Sequence, residues 1–239
     1  MNDKLLSSAV PALSRGLDVV EHLASTGAST TLSQLARNMG RSVSEIQRTV
    51  GCLLERGYLV RDDAGVLRLS SKLYRLAQAH PPHRELLARA YPAMADYART
   101  TGESVHLAIL AEGKLLLVAE APGTGLARVS LQLGAVLDPE LTVSGRLLLA
   151  FTPPALSGVT RIAPAVAKKI QAIRAQGHEF SESDYVEGIL DLGVPILTPE
   201  GEAIAALTTS WLPLRKAKVR WTELLPPLQE CARRIAANY

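Results

Sequence analysis

Arg41-Ser-Val-Ser-Glu-Ile-Gln-Arg-Thr-Val-Gly-Cys-Leu-Leu-Glu-Arg-Gly57 carries a start signal, an apolar stripe and a stop signal for one helix. Ser42 followed three residues later by Glu45 is a capping box, which predicts a helix from residue 43. Val43, Ile46, Val50, Leu53 and Leu54 recur at helical spacing and define a buried side. Gly57 stands where a left-handed cap would end the helix. Ser44, Gln47, Arg48 and Gly51 fall on the other side, short or hydrogen-bonding. A helix that enters a DNA major groove needs this pattern: polar groups near its start and an apolar back. An ordinary amphipathic surface helix has the same pattern, so the flanking sequence has to decide.

Upstream, residues 12–25 read as a helix with Leu13, Leu17, Val20, Leu23 and Ala24 on one face. Thr31 with Gln34 forms a second capping box, opening a short helix lined by Leu32, Leu35, Ala36 and Met39. Gly40 and Arg41 lead directly into the next helix, giving a helix-turn-helix layout. Downstream, residues 58–69 read as two short strands around a turn at Asp62–Gly65, with Arg61 and Arg68 near the tip or along the strands. A basic hairpin after the second helix makes the winged variant, whose wing rests on phosphate or probes the minor groove. Together the three pieces predict binding to double-stranded DNA.

Charge points the same way. Of the chain's 26 Lys/Arg and 23 Asp/Glu, residues 1–75 hold ten basic and seven acidic, and the remainder holds sixteen of each. The whole excess of +3 therefore lies in the part that contains the helix-turn-helix. Aromatics make up only 4% of the 239 residues, so Val, Leu, Ile and Ala must fill the core. Cys52 and Cys231 lie far apart without metal-ligand neighbours and read as core residues. No apolar run approaches the roughly 20 residues of a membrane span, and residues 1–10 lack the apolar stretch of a secretory signal. A cytoplasmic location is expected, with no membrane partner.

Residues 71–80 continue as a helix with Leu73, Leu76 and Ala77 inside, and Pro81-Pro82 stop it at the best domain boundary in the chain. A helix over 84–101 follows; Pro92 either kinks it or marks an early turn. Beyond 103 the period changes. Val105–Leu110 and Lys114–Ala119 read as a hairpin around Ala111-Glu112-Gly113, and Arg128–Leu133 as another strand. Helices are expected over 141–151, 163–176 and 221–237, and strands over 189–197 and 203–210 around a Pro/Gly turn. Hairpin-linked strands with helices between groups define an α+β domain on an antiparallel sheet.

These residues resemble the IclR-type transcriptional regulators. The matching stretches are Ser14-Arg-Gly-Leu-Asp-Val-Val20, Leu32-Ser-Gln-Leu-Ala36, Ser42-x-x-x-Ile46-x-Arg48 and Leu54-x-x-x-Gly57-Tyr58. Further on they are Thr101-Gly-Glu-Ser-Val-His-Leu-Ala108, Leu141-Thr-Val-Ser-Gly-Arg-Leu-Leu-Leu-Ala150, Glu187-Gly188, Val194-Pro195 and Gly201. The resemblance implies a winged helix-turn-helix over 1–70, a linker helix over 71–83 and a GAF-like effector-binding domain over 84–239. It implies an operator-binding homodimer or tetramer, with repression the expected mode and dimer contacts largely in the N-terminal part and linker helix. A small-molecule effector, commonly an organic or aromatic acid, would occupy a cleft beside the sheet. By resemblance, Leu137, Ser181, Ile189, Asp191, Thr208 and Ser210 would contact it, with Gly145 nearby. Glu140 and Asp191 stand where many relatives carry His and Cys; if both face the cleft, an acid would be repelled unless Arg128 or Arg146 compensates.

Thr31, Arg41, Ser42, Ser44, Gln47, Arg48 and Arg68 are the candidate DNA contacts. Gln pairs bidentate with adenine and Arg with guanine, although Arg48 could equally hold phosphate. Ser42 and Thr31, as N-caps, offer backbone N–H groups to phosphate. Thr208 and Ser210 share one strand face. His106, on an apolar strand, reads as a core histidine. No cofactor or metal site is expected. An enzyme finds no support: there is no Gly-rich phosphate loop, no serine elbow and no paired histidines at helical spacing. The remaining alternative is a DNA-binding regulator whose second domain only oligomerises.

Overall fold

The computed structural model describes residues 10–27, 29–79, 83–125, 127–213 and 220–237. Internal contacts divide the chain into two units, Met1–Pro82 and His83–Tyr239. The expected boundary at Pro81-Pro82 lies outside the described residues.

In the first unit, α1 (Pro11–Thr26), α2 (Leu32–Asn38) and α3 (Val43–Glu55) pack around Val19, Leu23, Leu35, Ile46 and Val50. Both capping boxes form, Thr31 with Gln34 and Ser42 with Glu45. Gly57 takes the left-handed conformation, and Tyr58 N–H reaches back to the Leu53 carbonyl at 2.8 Å to close α3. Strand β1 (Thr30–Thr31), which the sequence did not suggest, pairs with β3 (Val66–Leu69), and β3 pairs with β2 (Leu59–Arg61). A three-stranded antiparallel sheet therefore seals one end of the helices, with Leu59 and Leu67 in the core. The Asp62 side chain accepts from Val66 N–H and shapes the turn between β2 and β3.

Three expectations fail in this unit. On α1 the buried pair is Val19 and Leu23, whereas Leu13 and Leu17 are 60% and 52% exposed. Cys52 is exposed as well. Helix α4 (Lys72–Ala79) buries nothing, and Leu76 is 49% exposed. The physical reason is shared: helical spacing locates an apolar stripe but does not say what covers it. Within this unit the stripe borders a groove of about 590 Å³ whose walls include Leu13, Leu17, Val20, Cys52, Leu53 and Leu73.

In the second unit, six antiparallel strands lie in the order β6 (Val136–Leu137), β5 (Lys114–Ala121), β4 (Val105–Ala111), β9 (Ala203–Trp211), β8 (Leu190–Leu197) and β7 (Glu179–Glu182). Each hairpin places its partners side by side, and β4 and β9, distant in sequence, close the centre. Alternate residues face opposite sides. Val105, Leu107, Ile109, Val194 and Leu207 meet α5 (Arg84–Thr101) and α9 (Trp221–Ala236) on one side. Ala108, Leu115, Leu117 and Ala206 meet α6 (Val143–Phe151) and α8 (Pro164–Gln176) on the other. Pro92 is accommodated inside a continuous α5.

The expected strand at 128–133 does not form. Residues 127–135 run as a loop, and the outer edge of β5 is joined instead at Leu115 and Leu116 by the Val136–Leu137 strand. The alternation of Val129 and Leu131 reflects contact with a cavity rather than a ladder.

Candidate functional site

The first candidate surface is the N-terminal half of α3. Ser42 Oγ lies 3.1 Å from Ser44 Oγ and donates to the Glu45 carboxylate at 2.7 Å, which also accepts Ser42 N–H at 2.7 Å. These bonds hold the Glu45 carboxyl below its ordinary range. The acid that sits beside the exposed face is thus committed to the cap. Gln47 and Arg48 are exposed and have no hydrogen-bond partner among the described residues; Arg41 precedes the helix, also exposed. Glu55 lies seven residues beyond Arg48 on the same face and would repel phosphate, so the usable part of α3 is its first two turns. Thr31 spends its hydroxyl within its own capping box, leaving the α2 start as a source of backbone N–H groups.

The hairpin register pairs Val60 with Arg68 and Arg61 with Leu67. Arg61 and Arg68 therefore leave opposite faces of the wing, and Leu67, fully buried, marks the inner one. Arg68 is on the outer face.

The second candidate is a cavity of about 170 Å³ in the other unit, enclosed by the start of α6, strands β4, β8 and β9, and the loops around 129–142 and 183–189. Leu137, Ile189, Asp191, Thr208 and Ser210, which the resemblance named as effector contacts, all line it. Ser210 Oγ donates to Asp191 Oδ1 at 2.6 Å. Thr208 Oγ1 lies 2.7 Å from Ser144 Oγ, which is 3.3 Å from His106 Nε2, a chain of polar groups across the floor. Burial pushes the His106 imidazole down to about 4, so the ring is neutral at pH 7. Burial likewise raises the Asp191 carboxyl, with hydrogen bonds from Ser210 and Ser183 opposing.

Two implied contacts are elsewhere. Ser181 lies beside Asp191 in the β7–β8 ladder but accepts from Arg146 Nη2 at 3.3 Å instead of lining the cavity. Gly145 is a packing residue: a Cβ there would stand 2.2 Å from the Pro139 carbonyl oxygen. Gly193 serves the same close seating from the sheet side, since a Cβ would meet Leu147, Val143 and Thr208 within 2.8 Å. Glu140 also turns away, accepting Ala163 N–H at 3.0 Å, so only one of the two acids faces the cavity.

Arg146 cannot neutralise a ligand there. It is 1% exposed and its Nε bonds both Glu179 carboxylate oxygens at 2.8 and 3.0 Å. Its Nη1 serves Asp184 at 2.8 Å and the Glu140 carbonyl at 3.1 Å. Arg128 is exposed and donates to the Gly123 carbonyl. Sequence reasoning missed His106, Ser144 and Tyr185 as cavity residues. The first two were hidden because a buried polar group on an apolar strand or helix looks like a satisfied core residue. Tyr185 comes from a loop, where no periodicity reports orientation; its hydroxyl accepts Asp138 N–H at 3.2 Å.

Among the described residues no cluster of three or more His, Cys, Asp or Glu could hold a metal ion, and no helix is long and apolar enough to cross a membrane. A helix-turn-helix unit followed by a sheet unit with a small, mostly apolar cavity is the architecture of a DNA-binding regulator, and the comparisons with known proteins agree. Residues 12–63 match the IclR helix-turn-helix domain and residues 79–237 match the C-terminal domain of bacterial transcriptional regulator IclR. The chain belongs to the IclR family of transcriptional regulators, which are not enzymes. It is 27% identical over 245 residues to the glycerol operon regulatory protein of Streptomyces coelicolor, covering 96% of each chain. It is 22% identical over 247 residues to the transcriptional repressor IclR of Escherichia coli, covering 96% of this chain and 90% of the repressor. Similar solved structures include an IclR homolog from Microbacterium hydrocarbonoxydans complexed with 4-hydroxybenzoate (TM-score 0.79, 24% identity, 95% and 98% coverage). The Thermotoga maritima IclR is another (TM-score 0.74, 21% identity, 95% and 98% coverage).

Proposed function

We propose that the chain is a repressor that grips operator DNA as a homodimer or tetramer and changes its grip when a small molecule fills the second-unit cavity. The observation that carries the DNA part is the exposed start of α3, where Gln47 and Arg48 stand free while the Glu45 carboxylate is engaged by the Ser42 cap. In this reading residues 1–70 bind DNA, 71–83 link, and 84–239 sense. Gln47 and Arg48 read bases; Arg41, Ser44 and Arg68 steady the helix and wing on phosphate, together with the backbone N–H groups at Thr31 and Ser42. The apolar groove along α1, α3 and α4 supports a second copy as its cover, in keeping with the dimer contacts that the family resemblance implies.

The test is a fluorescence titration with a duplex selected by the protein from a randomised pool, at two salt concentrations. Affinity should fall steeply with salt, as phosphate binding requires. Arg48→Ala should cost about 1–3 kcal/mol of operator affinity and leave the melting temperature nearly unchanged. Salt-independent binding would sink the DNA reading, and a large loss of thermal stability would make Arg48 structural instead.

A further inference from the structure

The cavity has one acid on its wall and, among the described residues, no lysine or arginine. Asp191 enters from β8 and takes hydrogen bonds from neutral hydroxyls alone, Ser210 Oγ at 2.6 Å and Ser183. Arg146, whose field also reaches Asp191, has its donors taken by Glu179, Asp184, Ser181 and the Glu140 carbonyl. The first turn of α6 opens on the same space through Thr142, Val143 and Ser144. Its dipole supplies roughly half a positive charge, against a full negative one on Asp191. Thr142 Oγ1 already accepts the Gly145 N–H, which removes one donor from that turn. A buried acid without a cation is held at the expense of its hydration, and an ionised ligand of the same sign would add to that cost. A ligand of opposite sign would relieve it and would draw the Asp191 proton equilibrium back toward the carboxylate.

We infer that the effector is a small organic amine whose ammonium group docks on Asp191, and that carboxylates are excluded. This rests on the reading of the cavity as the effector site. Leu115, Leu117 and Leu137 would take the carbon skeleton, and the Ser144–Thr208 pair would accept or donate to a hydroxyl at the far end. With about 170 Å³ available, the molecule has to be compact.

Two matched triads test it on the full chain by calorimetric titration and thermal shift. One is para-hydroxybenzylamine, para-hydroxybenzyl alcohol and para-hydroxybenzoate; the other is butylamine, butanol and butyrate. On the wild type, the amine of at least one triad should bind about tenfold or more tightly than its alcohol, with the acid weakest. In Asp191→Asn, whose unliganded melting temperature confirms folding, that lead should disappear. An acid that binds the wild type as well as its amine overturns the inference and leaves the site reading intact. So does an amine lead that survives in Asp191→Asn. Should no compound of either triad bind either protein, the reading of the cavity as a ligand site falls, and the inference with it.

Discussion

His106 and Arg146 meet the same problem, a charge-capable group out of water, with opposite answers. Arg146 stays charged by surrounding itself with two acids, a hydroxyl and a carbonyl. Such a network adds little over an apolar replacement, but losing one member strands the others. His106 stays neutral, with Ser144 Oγ 3.3 Å from its Nε2. Its stability effect has a definite sign. The unfolded ring takes up a proton near pH 6.5 and the folded ring only near pH 4, so falling pH favours the unfolded chain across that window. The loss can reach on the order of 3 kcal/mol. Glu179 and Asp191, raised by burial, act in the reverse direction, because the folded state then binds protons more readily. Urea melts of the wild type and His106→Gln at pH 7 and pH 4.5 separate these contributions. The wild type should lose more stability than the variant on acidification; equal losses would remove the neutral imidazole as a cause.

Among elements, α3 was the most legible, because its start and stop are local devices. The Ser42–Glu45 box needs only four consecutive residues and forms as the spacing predicted. Ser42→Ala should lower stability by about 1 kcal/mol in chemical denaturation through loss of the cap alone. An unchanged midpoint would mean that water replaces the hydroxyl without cost. Elements whose existence depends on a distant partner were not legible. Strand β7 carries Glu179 and Glu182, poor strand residues, and forms because β8 offers an edge and Arg146 receives Glu179. Conversely, Val129 and Leu131 alternate well but join no ladder and line the cavity instead. The cavity was half legible: Thr208 and Ser210 on β9 follow from strand alternation and Asp191 was named only by the family resemblance, whereas Tyr185 and Ser183 depend on a loop path. The sequence leaves open whether Glu140 faces the cleft; a one-turn helix at Pro139–Leu141 turns it toward Ala163 instead.

On the scale of the molecule, the chain falls into two units, and the first leaves apolar side chains exposed among its described residues. Leu13 and Leu17, both more than half exposed, border one groove with Val20, Cys52 and Leu73, which scattered surface residues would not do. Leu17→Asp should shift the protein to a smaller species in sedimentation velocity and weaken operator binding at least about tenfold, since two linked heads bind more tightly than one. A variant that keeps both its size and its operator affinity would show that this face has no partner. The sheet unit invites a different consequence. Gly145 and Gly193 let α6 settle so close to the turn before it and the strand beneath it that neither position has room for even a methyl group. The inner wall of the cavity is thereby frozen in shape. Under the proposed effector reading, room for a larger or differently shaped ligand would come from the outer wall, at Val129, Leu131, Leu137, Val186 and Ile189, while side-chain changes on the inner wall, such as at Asp191, would alter the charge it presents without altering its outline.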